Sequence, residues 1–133
     1  MSGPALELRL LACAVIVGLV QLMWAAGAAR RQQGDLKWAA GPRDDPKPLS
    51  GVAARLDRAF KNYMETFPLF AAAVIVAYLA AKLGPLTLWG SGLYVGARAL
   101  YPVLYASGIS HVRSLVWGVA MVGLVMVIVA IFR

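Results

Sequence analysis

Apolar residues fill four stretches of the chain, and polar residues gather between them. Leu10 to Ala29 carries only Gln21 as a strongly polar member. A second apolar run covers Phe67 to Ala81. A third, Leu86 to Ala106, contains Arg98, and a fourth, Leu115 to Phe132, has no charge. A bilayer core about 30 Å thick needs roughly 20 helical residues at about 1.5 Å each, and three of the four stretches approach that length. Phe67 to Ala81 makes only about 22 Å of helix, so this helix has to begin earlier and draw Glu65 and Asn62 into the membrane boundary. The pattern predicts transmembrane helices over about 6–29, 54–82, 86–106 and 112–132, forming a single four-helix membrane domain over 1–133. The expected fold class is an all-α integral membrane protein.

The connection between the first two helices, residues 30–53, reads RRQQGDLKWAAGPRDDPKPLSGVA. Its Gly, Pro and charge content marks a surface loop with turns at Gly41-Pro42 and Pro46 to Pro48. Arg30, Arg31, Lys37, Arg43 and Lys47 outnumber Asp35, Asp44 and Asp45, so the positive-inside rule assigns the loop to the cytoplasm. Both termini then face the other side, the loop around SGISHVR is cytoplasmic, and Lys82-Leu83-Gly84-Pro85 is a tight turn on the far side. Small residues in AAGAA, before Arg30, resemble a signal-peptide cleavage site. The apolar run, however, exceeds the roughly 7–15 residues of a signal core, and Glu7 dilutes the positive start. A retained helix is expected.

Composition agrees: 61% of the 133 residues are hydrophobic and the mean hydropathy is +0.72, against roughly 45–50% apolar residues in soluble domains. The net charge of +7 does not argue for nucleic acid, because no soluble domain exists to carry a groove-reading element. The excess lies at helix ends, where it sets topology and attracts anionic head groups. Cys13, the only cysteine, excludes an intramolecular disulfide or a cysteine zinc site and is expected to be a packing residue. His111, the only histidine, makes an all-histidine metal site or a Ser-His-Asp triad hard to assemble within one chain, and a lone loop histidine is usually just solvated.

Candidate chemistry sits at the cytoplasmic ends of the helices. At 100° per residue, Arg58, Asn62 and Glu65 fall within about 60° of arc, a single stripe. Charges at membrane depth cost about 2.5–3.5 kcal/mol each on insertion scales. Two readings stay open: a helix start in which Arg58 and Lys61 snorkel while Asn62 and Glu65 bond neighbouring helices, or one wall of a site. Arg98 lies about 12 Å inside the end of the third helix and shares a face with Tyr94, Tyr101 and Tyr105. Glu65 is its expected partner, within a subunit or across an interface. Ser110 is a candidate N-cap of the fourth helix. Arg113 just after it makes either an anion site at a helix N-terminus or a positive-inside boundary residue. Pro102 removes a backbone donor and is expected to kink the third helix.

The stretch R-A-x-x-N-x-x-E-x-F-P-L-F, from Arg58 to Phe70, resembles the second-helix signature of the MAPEG family, the membrane-associated proteins of eicosanoid and glutathione metabolism. Ala97-Arg98, Tyr101, Tyr105 and Arg113-Ser114 resemble its third- and fourth-helix motifs in the same order, and GPRDDPKPLSG resembles the short bacterial branch. The resemblance implies a homotrimer of four-helix subunits in a bacterial inner membrane, with glutathione bound as cosubstrate at subunit interfaces. It implies that Arg58, Asn62, Glu65, Tyr101 and Tyr105 contact glutathione beside a buried Arg98, and that Arg113 faces the thiol. Its implied activity is that of a glutathione transferase or peroxidase acting on a lipophilic small molecule from the bilayer. The alternative it allows is a non-catalytic lipid-binding or scaffold protein of the same fold. Phe60 and Thr66 depart from a eukaryotic relative that has glutamine and tyrosine there. A transporter is a third reading, poorly served by one deep charge pair and no pair of interrupted helices.

Overall fold

The structure is a computed structural model that describes residues 5–33, 38, 40–44 and 47–133. The loop residues Asp35, Lys37, Asp45 and Pro46 named above lie outside the described residues. Among the described residues the bundle is made by four helices: α1 Leu6–Gln33, α2 Gly51–Leu79, α3 Pro85–Ala106 and α4 His111–Ile131. By length and composition α1, α2 and α4 can each cross a membrane. In α3, 22 residues reach about 33 Å, long enough to span. Arg98, three tyrosines and three glycines dilute its apolar character. Its polar residues turn inward, for α3 packs on all three other helices. Among the described residues α1 and α4 do not touch, so α2 and α3 form the inner diagonal of the bundle. The chain is an all-α integral membrane protein.

The seams follow from side-chain size. Buried Glu7, Ala14, Gln21 and Ala25 recur along one stripe of α1 at spacings of seven, seven and four. The Tyr63 hydroxyl of α2 donates to the Ala14 carbonyl, and Gly18 makes room for that ring: a Cβ there would lie 3.1 Å from it. Between α3 and α4 the backbones meet at Gly90 and Gly123, where a Cβ on Gly90 would come within 2.6 Å of the Gly123 carbonyl. Close approach through small residues is how membrane helices gain packing where lipid removes the hydrophobic drive. Phe70 of α2 stacks on Tyr94 of α3 with centroids 4.0 Å apart, and Val74, Ala77, Leu124 and Val127 complete the core. Cys13 does not pack within the chain: it is exposed on α1, clear of the buried stripe.

Side chains and backbone close the helix ends. At the start of α1 and α3, buried Thr87 donates to the carboxylate of buried Glu7 at 2.8 Å and accepts from the Gly84 N–H at 2.8 Å. At the far end of α1, Gln32 pairs with both backbone groups of Ser50, at 2.9 and 3.1 Å. Gln33 does the same with Lys47, at 2.7 Å for each bond. The two amides clip the segment leading into α2 against the last turn of α1. Helix α2 therefore starts at Gly51, immediately after the clip, and α3 continues as one helix through buried Pro102 to Ala106.

Candidate functional site

The end of α3 and the start of α4 meet the first half of α2, and there the polar residues converge. Arg55, Arg58, Asn62 and Glu65 are spaced three, four and three apart, which keeps them on one side of α2. Arg55 donates through Nε to the Ala106 carbonyl at 3.1 Å, so a cation sits at the negative end of α3's dipole. Arg58 donates through Nε to the Tyr105 hydroxyl at 3.2 Å, with its guanidinium 5.8 Å from the centroid of that ring. Arg113, in the first turn of α4, stands 4.3 Å from the Tyr105 centroid. Tyr105 thus meets two guanidinium groups from different helices. Ser110 occupies the N-cap position of α4, but its hydroxyl makes no capping bond.

One turn deeper, Tyr105 meets Tyr101 edge-on at 5.7 Å, and Arg98 lies 4.4 Å from the Tyr101 centroid and 5.3 Å from that of Tyr63. A continuous Arg–Tyr ladder runs from half-buried Arg113 inward to Arg98, which is 1% exposed. Guanidinium groups suit this arrangement because they are planar and weakly hydrated and stack on aromatic faces. The Glu65–Arg98 pair expected from the sequence does not form within the chain. Arg98 is enclosed by the two rings, whereas Glu65 stands on the exposed side of α2. Glu65 and Arg113 both lie within electrostatic reach of Tyr101, so Glu65 belongs to the same neighbourhood by way of the tyrosine.

Several donors and acceptors here have no hydrogen-bond partner among the described residues: all three nitrogens of Arg98, Oδ1 of Asn62 and both amide atoms of buried Gln21. Parallel packing of α1 and α3, registered by the Glu7–Thr87 bond, puts Gln21 at the level of Tyr101. Thr66 is buried and hydrogen-bonded to the Tyr94 hydroxyl at 2.9 Å, so it is part of the core and not of the polar wall. Arg55 was missed by sequence reasoning, although it lies three residues before Arg58 on the stripe already identified. Glu7 was missed because it precedes the apolar run of α1. The described residues hold no group of histidine, cysteine, aspartate and glutamate able to bind a metal.

Such a site is built for anions. Three arginines surround the last turn of α3, Tyr101 and Tyr105 add neutral hydroxyls, and the one carboxylate, Glu65, stands apart from Arg58 by about 10 Å along α2. No curated protein and no solved structure matches the chain. A model of the MAPEG family matches residues 10–133, nearly the whole length. The chain therefore belongs to the MAPEG family, membrane proteins of the kind that serve glutathione and eicosanoid metabolism.

Proposed function

We propose that this protein binds glutathione against the wall formed by Arg58, Asn62, Glu65, Tyr101, Tyr105 and Arg113, with a second subunit closing the site, in a homotrimer. The observation that carries the reading is that Arg58 and Arg113, from different helices, both meet Tyr105 at the exposed end of the ladder. Glutathione presents two carboxylates and one ammonium group. Arginines take the carboxylates through charge-assisted bonds, and Glu65, two turns along the helix, takes the ammonium. Arg98 acts from below, holding the Tyr101 ring at a fixed angle.

Catalysis then needs a thiolate. A free thiol titrates near pH 8.5, and a guanidinium that lowers this by about two units favours the anion roughly a hundredfold. Arg113 is the candidate for that role, and the thiolate would attack a lipophilic electrophile arriving from the bilayer, as a transferase or peroxidase does. The excess of basic residues in the loop after α1 supports a cytoplasmic site in a bacterial inner membrane, with both termini on the opposite side.

A second reading, a non-catalytic lipid-binding or scaffold protein of the same fold, is favoured by one feature. The Arg113 guanidinium already rests on the Tyr105 ring and must leave it to face a sulfur. One experiment separates the two. The detergent-purified protein is titrated with millimolar glutathione, and the ultraviolet absorbance of the thiolate is followed in wild type and in Arg113→Ala. Binding with a thiolate signal that Arg113→Ala abolishes supports the enzyme. Binding without the signal supports the non-catalytic protein, and no binding overturns the site.

A further inference from the structure

The end of the bundle where α1 and α3 begin carries a second feature, on the outer surface between α3 and α4. A groove of about 350 Å³ follows their seam, lined by Leu86, Met121, Val122, Val125, Met126 and Val129. No polar side chain enters it. On α4 these residues recur at spacings of three and four, one stripe of the helix. From Met121 to Val129 the stripe covers about 12 Å, most of the roughly 15 Å that one leaflet of the bilayer core offers. A second cleft, of about 430 Å³, continues the groove beyond Leu86, the residue they share, and is lined by Lys82, Gly84, Pro85, Ala130 and Arg133. The apolar row therefore ends at two cationic residues. Trp89, three residues from Leu86, is 69% exposed, and exposed indoles on membrane helices settle at head-group level. The shared residue thus lies where acyl chains give way to head groups.

We propose that this composite groove binds one anionic phospholipid, with an acyl chain along Met121, Val125 and Val129 and the phosphate at Lys82 and Arg133. The charge at this end follows from the sequence. Of the six acidic residues, Glu7 alone belongs here, and it is buried and bonded to Thr87. The other five lie between α1 and the middle of α2, and residues 1–4 contain no carboxylate. Lys82 donates through Nζ to the Arg133 carbonyl at 2.8 Å, which leaves two of its three N–H donors. Even with Lys82 set aside, Arg133 has no carboxylate partner among the described residues. Charge complementarity selects the occupant: a zwitterionic head group brings its own cation to a cationic cleft, whereas phosphatidylglycerol brings none. A second copy in the same orientation would set a like end, with exposed Arg9, Lys82 and Arg133, against this one. Each such cation near a membrane surface contributes about a fivefold preference for anionic lipid. Leu86 and Tyr105 are about 28 Å apart along α3, so this site stands independently of the glutathione reading.

The test is native mass spectrometry of the full chain released from detergent after titration with phosphatidylglycerol or phosphatidylcholine. Wild type is expected to retain one phosphatidylglycerol per chain and to hold phosphatidylcholine about fivefold more weakly or less. Arg133→Gln, just past the end of α4, is expected to lower phosphatidylglycerol retention about fivefold and leave phosphatidylcholine unchanged. Val125→Trp fills the groove from an exposed position, without disturbing the core, and is expected to lower retention of both lipids severalfold. Arg9→Gln removes an exposed cation at the same end but outside both clefts and is expected to change neither. Equal retention of the two lipids by wild type overturns the proposal, as does undiminished phosphatidylglycerol on Arg133→Gln or on Val125→Trp. A loss on Arg9→Gln equal to that on Arg133→Gln overturns it too, assigning the preference to the overall charge of this end. Displacement by millimolar glycerol phosphate overturns it by assigning the cleft to a soluble anion, and a change of subunit number in Val125→Trp, with lipid retained, by assigning the groove to a second copy of the chain.

Discussion

At one end of the bundle three polar groups are joined in one hydrogen-bonded set; at the other, donors are left over. Where α1 and α3 begin, Glu7, Thr87 and Gly84 form a closed set: the hydroxyl donates to the carboxylate and accepts from the backbone N–H. Where α3 ends and α4 begins, arginines meet tyrosines. A guanidinium has five N–H donors and no acceptor, and a phenol offers a single oxygen, so any number of Arg–Tyr contacts leaves donors over. The first set, saturated in its donors, is structural, with the buried Ser91 hydroxyl one turn further along α3 left outside it, and the second keeps binding capacity for an acceptor-rich ligand. The distinction comes from the chemistry of the side chains: both ends contain buried polar residues, and burial alone does not separate them.

The largest effect expected is at the saturated end. Thr87→Val keeps the side-chain shape but leaves the buried Glu7 carboxylate and the Gly84 N–H without the hydroxyl that joins them. Leaving such groups unmatched costs about 1–3 kcal/mol each, more for a charge, so the variant should lose about 3 kcal/mol. Unfolding in mixed detergent micelles measures that loss, and glutathione affinity in the folded fraction should not change. A variant that stays as stable as wild type would mean that the Glu7–Thr87 bond is not part of what holds α1 to α3.

At the unsaturated end the corresponding change should be mild for the fold and visible in binding. Tyr105→Phe removes the hydroxyl that accepts from Arg58 and keeps the ring under Arg113. One hydrogen bond involving a charged group contributes about 1.5 kcal/mol. In a region open at the surface, most of it should appear as a severalfold loss of glutathione affinity, with the unfolding midpoint nearly unchanged. Isothermal titration of the purified variant checks this. If stability falls and affinity holds, Tyr105 is a packing residue and the comparison between the ends fails.

How much of this could be read from the residues depends on the kind of signal each feature leaves. Helix number and the early start of α2 follow from bilayer thickness and apolar run length, and the stripe of Arg58, Asn62 and Glu65 follows from helical period. The depth of Arg98 was equally plain. Its partner was not, because charge complementarity points to a carboxylate, whereas the ring that meets Arg98 from α2 is Tyr63, which as a residue looks like ordinary core. Glu7 fell inside the expected first helix but ahead of its apolar run, and nothing in the sequence tied it to Thr87. The Gln32 and Gln33 clips had no signature at all, since a side-chain amide pairing with backbone across a loop depends on tertiary placement.

The smallest effects test the comparison at the level of backbone. Both α2 and α3 end in the same motif, with paired bonds from Lys82 to Ala77 and Ala81 to Tyr78, and from Ile109 to Leu104 and Gly108 to Tyr105. The residue turned left-handed is Ala81 at φ 58 in the first and Gly108 at φ 79 in the second. Alanine at such a position strains against its Cβ by roughly 1 kcal/mol, partly offset by the lower entropy of the unfolded chain. Ala81→Gly should therefore gain about 0.5 kcal/mol, and Gly108→Ala should lose about 1 kcal/mol, both read from unfolding midpoints. The two differ in reach. The Ala81 turn lies at the saturated end, so relaxing it leaves ligand affinity alone. The Gly108 N–H bonds the carbonyl of Tyr105 itself, so straining that turn tilts the ring that Arg58 and Arg113 share. A loss of glutathione affinity in Gly108→Ala larger than its loss of stability would show that the position of Tyr105 is set by the helix end below it, while equal affinity in the two variants would show that the arginines alone hold the ring.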